Sequence, residues 1–176
     1  KTAAKNYEPW NGGTFEGIEW IWTGYPLVEE DGVATCSGSS FVLAQDWVDG
    51  ASSFSAMMRT VEPGKKAWER GGLVFNHTDY DHYYRVTLKA NGRLVLEKVD
   101  GFWKPATVLH EHPKVVANSK DWNRIGVAIE GAQIAVRCNG QEIFAFKDPD
   151  PLRSGRPGFV VMPGMQCRFK DIQLEK

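Results

Sequence analysis

Apolar and polar residues alternate along short runs for most of the chain, the period-two signature of half-buried β-strands. YYRVTLKA runs through Asn91-Gly92 into RLVLEKVDG, and AQIAVRC runs through Asn139-Gly140 into QEIFAFK. Asn-Gly between alternating runs signals a hairpin, because both residues tolerate the positive φ that a two-residue turn demands. RIGVAIEG adds a third strand to the second hairpin, making a meander. GVATC, SFVLAQ, SFSAMMRTV, GGLVF, ATVLH, GFVVM and QCRFKDIQLEK complete the strand set. No segment sustains the three-and-four apolar spacing of a helix over a dozen residues, while 18 glycines and 9 prolines punctuate the chain at strand-like intervals.

Ten or so short strands separated by turns predict an all-β fold, an antiparallel β-sandwich of the jelly-roll kind. With 176 residues, one domain spanning 1–176 is expected, at a size that buries about 70% of the unfolded surface. Its core sandwich is placed at 32–176. Residues 1–31 are taken as an N-terminal extension packing on the sandwich, since NGGTFEGIEWIWTGYPLVEEDG has turn glycines and aromatics but weak alternation.

Composition narrows the partners. Twenty-one basic and 22 acidic residues leave a net charge of -1, so no long-range field draws the chain to nucleic acid or anionic lipid. The longest apolar runs are strand-sized, far short of the roughly 20 residues a spanning helix needs, and no membrane insertion is expected. KTAAKNYEPW lacks the apolar core of a signal peptide; a secreted or periplasmic setting, with the leader absent from this chain, is the expectation. Cys36, Cys138 and Cys167 cannot form a disulfide framework, which leaves buried thiols or one bridge with one free thiol. Aromatic residues at 12%, with seven tryptophans, exceed the ordinary share and call for an explanation.

GGLVFNHTDYDHYYRVTLKANGRLVLEKVDG, DWNRIGVAIEGAQIAVRCNGQEIFAFKDPDP and GRPGFVVMPGMQCRFKDIQLEK together resemble the concanavalin A-like lectin/glucanase superfamily, and within it laminin-G-like domains and the 3-keto-disaccharide hydrolase family. The resemblance covers roughly residues 32 to 176 and lies in strand rhythm. It implies a concanavalin A-like jelly roll and an oligo- or polysaccharide ligand. The E-x-D-x-x-E run of retaining laminarinase-like enzymes is absent, so the paired carboxylates of that chemistry are not supplied. The acidic and asparagine pattern of the legume-lectin metal site is missing as well.

NHTDYDHYYRV, residues 76–86, concentrates candidate chemistry. Asp79 and Asp81 with backbone carbonyls offer oxygens for a structural calcium ion; no cofactor is otherwise required. His77 and His82 with His110 and His112 are the residue types of a transition-metal site, without the spacing of one. Asn76-His77-Thr78 is an N-glycosylation sequon. A two-residue turn at Asn91-Gly92 places Arg85 opposite Lys98, with Tyr83, Thr87 and Lys89 on the same face. Such a like-charge pair asks for an anion or a hydroxyl-rich sugar. Arg59 and Asn76 join that ligand set if their strands are neighbours. Indole faces stack on pyranose rings; Trp47, Trp68 and Trp103 fall in loops, with Trp68 and Trp103 the first choices, whereas Trp20, Trp22 and Trp122 are assigned to the core.

Carbohydrate recognition on a concave sheet face or loop rim is the leading function. A sugar-active enzyme is the alternative, either a glycoside hydrolase of the 3-keto-disaccharide type or a polysaccharide lyase with His77 or Tyr83 as base and Arg85 and Lys98 neutralising a uronate. A laminin-G-like protein-adhesion module is the third. The sugar, its linkage and the oligomeric state are not encoded in any motif.

Overall fold

The structure is a computed structural model that describes residues 11–38, 40–45, 53–66, 70–152 and 155–175. The first five strands are β1 (Asn11–Phe15), β2 (Ile18–Thr23), β3 (Val28–Glu30), β4 (Val33–Ser37) and β5 (Ser40–Ala44). The long middle of the chain supplies β6 (Ser53–Glu62), β7 (Gly71–Asp79), β8 (His82–Leu88), β9 (Leu94–Asp100) and β10 (Thr107–Glu111). A meander of β11 (Asn123–Glu130), β12 (Gln133–Cys138) and β13 (Gln141–Lys147) follows, and β14 (Arg156–Val161) and β15 (Gln166–Glu175) close the chain. No helix occurs among the described residues.

These strands form two sheets, and the β-pairings within them are antiparallel. One runs β1-β2-β5-β14-β7-β8-β9-β10 and the other β13-β12-β11-β6-β15-β4-β3. Their inner faces meet in one core containing Trp20, Phe75, Tyr84, Leu94, Leu96 and Phe159 from the first sheet and Met58, Ile125, Val136 and Phe169 from the second. Phe159 stacks on Phe169 at 4.1 Å and on Trp20 at 5.3 Å, carrying aromatic contact across the sandwich. Trp20 also donates from Nε1 to the carbonyl of Phe15, which satisfies the one polar atom its burial would strand. The all-β antiparallel sandwich therefore stands as expected.

The N-terminal assignment is corrected. Residues 11–30 do not lie across the sandwich; they contribute β1 and β2 to one sheet and β3 to the other. Alternation in IEWIWT was masked because both faces are apolar: Trp20 belongs to the main core and Ile21 to a second cluster on the outward side of the eight-stranded sheet. That second cluster, with Leu43, Val74, Tyr83, Val99 and Val160 at its centre, makes this outward surface unlike a solvated sheet face.

The two Asn-Gly turns differ. Asn139 and Gly140 both have positive φ, 51° and 82°, and join Cys138 to Gln141 by the expected two-residue turn. At the other site only Gly92 is left-handed (φ 83°), Gly92 N donates to the Lys89 carbonyl and Lys89 N to the Arg93 carbonyl. This is a turn with a glycine bulge, one residue longer than a two-residue loop. It shifts the β8–β9 register by one, pairing Arg85 with Glu97 and Tyr84 with Lys98. The expected apposition of Arg85 and Lys98 is thereby overturned, since a slip of one sends alternate side chains to opposite faces.

Candidate functional site

A groove of about 500 Å³ opens on the outward face of the eight-stranded sheet. Tyr83 and Arg85 of β8 and Val99 of β9 lie along it, the Asp79–Asp81 turn forms one rim, and Phe102, Trp103 and Lys104 form the other. The two rims are tied together by a hydrogen bond from Gly101 N to the Asp81 carbonyl. Gly101 (φ 132°) and Trp103 (φ 57°) both have positive φ. A bulky residue in that region is strained. Trp103 is 86% exposed and Phe102 73% exposed, with ring centroids 5.4 Å apart at 75°. Two large aromatics held out of the core beside a polar groove present apolar faces to whatever enters it.

The groove carries Asp79, Asp81, Arg85 and Lys104, and Arg85 is held there by the buried Glu97. Arg85 Nη2 donates to Glu97 Oε2 at 2.9 Å, and Arg70 Nη2 lies 2.9 Å from Oε1. The carboxylate is almost wholly buried and both guanidiniums are largely so. Two cations on one anion leave the cluster net positive, and Arg70 Nε, Arg85 Nε and Thr87 Oγ1 are buried without hydrogen-bond partners among the described residues. Register places Thr87 on the same face as Arg85 and Glu97. Unmatched buried donors in one patch are uncommon and mark where a ligand or water completes the bonding.

His77 and Tyr83 lie together. Their rings are stacked, 5.5 Å apart at 22°, and Phe41 stands 5.3 Å from Tyr83 and 5.6 Å from His77. Burial pulls the His77 imidazole down to about 4, and its Nε2 is buried without a partner among the described residues. Burial also pushes the Tyr83 phenol up, with Arg85 beside it opposing part of the rise. A neutral imidazole of low basicity and a reluctant phenol are poor general bases near neutral pH. As stacking faces and hydrogen-bonding groups they serve better.

Other expected ligand residues lie elsewhere. Lys98 points to the interior side, where Nζ sits 2.9 Å from Asp148 Oδ2 and also donates to the Asp150 carbonyl. Tyr84 donates to the same Asp148 oxygen at 2.5 Å and accepts from Leu152 N at 2.9 Å. Burial alone would raise the Asp148 carboxyl, but hydrogen bonds from Tyr84, the Asp150 amide and Lys98 more than reverse this and hold it below the usual range. Lys98 thus pins residues 148–152 at the sandwich end. Asn76, in a bulge of β7 with φ 51°, is buried and donates toward the Leu152 carbonyl; a buried sequon asparagine is no glycan acceptor in the folded chain. Arg59 lies on β6, in the opposite sheet, paired with Arg168. Trp103 stands at the groove, Trp47 and Trp68 lie outside the described residues, and Trp122 is not in the core but half-buried under the Lys170 ammonium, 4.4 Å from its ring centroid.

In the 76–82 segment β7 continues to Asp79, which pairs with His82 across a turn of Tyr80 and Asp81. Asp79 Oδ1 accepts from Asp81 N and lies 2.8 Å from His82 Nδ1. That oxygen serves the turn before any cation. His110 and His112 pack on Phe144 of the facing sheet. Among the described residues no group of three or more His, Cys, Asp or Glu is arranged to hold a metal ion.

Glu97, Arg70 and Phe102 are not among the site residues expected from the sequence. Weighing the bulged alternative for Asn91-Gly92 would have put Glu97 opposite Arg85; Arg70, just before β7, carries no comparable signal.

The family model described as the 3-keto-alpha-glucoside-1,2-lyase-like domain matches residues 5–175. No curated protein sequence matches the chain. Among solved structures, the carbohydrate-binding module CBM66 from Bacillus subtilis is similar at 15% identity and a TM-score of 0.73, covering 89% of this chain and 95% of that one. Domain 4 of AbnA, a GH43 extracellular arabinanase from Geobacillus stearothermophilus solved with arabinotriose, is similar at 13% identity and a TM-score of 0.63, covering 92% and 84%. A β-1,3-1,4-glucanase (lichenase) from a mouse hindgut metagenome is similar at 12% identity and a TM-score of 0.62, covering 96% and 91%. These likenesses establish the concanavalin A-like sandwich.

Proposed function

The chain belongs to the 3-keto-alpha-glucoside-1,2-lyase-like domain family, and from that premise we propose that it recognises a carbohydrate in the groove between Trp103 and Arg85. The observation that carries this reading is the exposed Phe102–Trp103 pair beside a charge-fixed polar floor. An indole offers its face to the C–H side of a sugar ring, while Arg85, Lys104 and Asp81 offer donors and acceptors to its hydroxyls. The groove falls within the roughly 300–1,000 Å³ of small-molecule sites, which suits a short oligosaccharide or a chain end. Two similar folds, a carbohydrate-binding module and an arabinanase domain bound to arabinotriose, support the ligand class. A secreted or periplasmic setting is part of the proposal.

Retention on a panel of immobilised neutral oligo- and polysaccharides tests it. A glycan that retains the protein should lose it on Trp103→Ala and on Arg85→Gln. Retention unchanged in both variants, or no retention across the panel, removes the reading.

Catalysis on a sugar is a second reading, favoured by the family's description and by Arg85 beside the Tyr83 phenol. It requires the bound ligand to shift the basicity of Tyr83 or His77 toward neutrality. Product release from 3-keto-disaccharides or polyuronates that disappears in Tyr83→Phe would support it.

A further inference from the structure

The outward face of the seven-stranded sheet is the other side of the molecule from the groove, and it is rich in cations. Register fixes its rows. Arg59 of β6 lies directly opposite Arg168 of β15; in the next row Met57 lies between Lys170 and Arg124; in the next, Gly126 lies between Ser55 and Arg137. Alternate residues of β6, namely Phe54, Ala56, Met58 and Thr60, are buried inward, so these rows face away from the core.

Five cations therefore share one face of a protein whose net charge is -1. None of the five makes an ion pair among the described residues. Among the described residues the Arg124 guanidinium reaches only the Ser55 hydroxyl and the Asp171 carbonyl, and Lys170 only the Trp122 ring. Arg59 Nε is buried without a partner among the described residues. Like charges directly opposite across strands destabilise a sheet, and a local rule broken without internal compensation points to an external partner. Carboxylates stand at the margins: Glu142 opposite Arg137, Glu175 opposite Ser53, and Glu30 and Asp31 around the hollow that Arg168 edges.

We propose that this face binds an acidic polysaccharide, a chain bearing carboxylates or sulfates on its sugar rings. The cations span three inter-strand steps from β15 to β12, about 14 Å, and three rows along the strands, four residues on β6 from Arg59 to Ser55 or about 14 Å. That is an extended track rather than a point site. Two hollows lie along this face, one of about 340 Å³ between Arg168 and the marginal Glu30 and Asp31, the other of about 200 Å³ between Arg124 and Arg137 with Glu175 at its edge. The second is floored by Ser53, Ser55 and Gly126, where small side chains leave room for sugar rings; Ser53 donates to Glu175 and Ser55 accepts from Arg124, so the Arg124 and Arg137 guanidiniums are the groups turned to a ligand. Nucleic acid fits less well. Single strands need aromatic platforms for their bases, and Trp122 is already covered by Lys170; duplex binding draws on a domain-wide positive field that a net charge of -1 does not provide.

Affinity measured with polygalacturonate and dextran sulfate, against uncharged dextran and single-stranded DNA, tests the assignment. At least one acidic polymer should bind, and Arg168→Gln and Arg59→Gln should each weaken it about tenfold or more. Arg168→Gln should keep the neutral-glycan retention of the groove and leave the melting temperature equal or higher, because it relieves a like-charge contact. Four results would overturn the proposal: no binding to either acidic polymer, equal binding to uncharged dextran, DNA bound as tightly, or acidic-polymer affinity unchanged in both variants.

Discussion

Arg85 and Glu97 face each other across β8 and β9, guanidinium to carboxylate at 2.9 Å, while Arg70 holds the other oxygen of the same carboxylate from outside the strand pair. Glu97 is the shared anion of two cations that would otherwise repel each other. Glu97→Gln removes that charge and leaves two largely buried guanidiniums against a neutral amide. Breaking a buried pair from one side costs about 3–5 kcal/mol; with both guanidiniums partly wetted, a loss of about 2–3 kcal/mol is expected, read from urea denaturation. A loss below about 0.5 kcal/mol would show that Glu97 does not organise this face.

At the groove's rim, Trp103 combines a positive φ with near-complete exposure. Trp103→Gly should be no less stable than the parent, because relief of a left-handed residue, roughly 1–2 kcal/mol, offsets the flexibility glycine adds to the unfolded chain. Glycan retention should be lost all the same. Loss of stability together with retention would mean that the indole packs rather than binds.

His77 gives the fold a pH dependence. Its imidazole is held at about 4 against an ordinary 6.5, so the unfolded chain takes up the proton first as pH falls. The sign follows: this contribution is complete above about 6.5 and is lost progressively down to about 4, of order 3 kcal/mol across the window. His77→Phe keeps a ring against Tyr83 and removes the proton. Denaturation midpoints measured from pH 4 to 7 should slope upward in the parent and flatten over that range in the variant.

At the sandwich end, Tyr84→Phe deletes the hydroxyl that joins Asp148 to the Leu152 amide. A cost of about 2 kcal/mol is expected. Lys98→Met should cost more, about 3–5 kcal/mol, because it abandons the Asp148 carboxylate in a buried position. The order of the two in urea midpoints is the test. If Lys98→Met proves the milder, Lys98 does not hold that end together.

Much of this molecule was legible before folding. The β11–β12–β13 meander, its Asn139-Gly140 turn and the all-β architecture follow from alternation and turn chemistry. Alternation puts Arg85 on an outward face but does not fix its partner, because LVLEKVD carries apolar residues on both sides: Leu94 and Leu96 face the main core, while Val99 joins the outer cluster. With both faces apolar, burial does not select a register, and the choice falls to whether Asn91 takes positive φ. Strand order hid the rest. Arg59 and Arg85 reach opposite sides because β6 and β8 belong to different sheets, and no local pattern records that. Trp103 was visible because a loop indole has nowhere in the core to go.

Cys36 and Cys167 are cross-strand neighbours on β4 and β15, fully buried, and burial holds both thiols far from ionisation, Cys167 up at about 12. A thiolate is the species that reacts with alkylating and oxidising reagents, so neither sulfur responds while the two strands stay zipped. The pair is a built-in clock: the rate at which a thiol reagent consumes it reports how often this edge of the seven-stranded sheet parts.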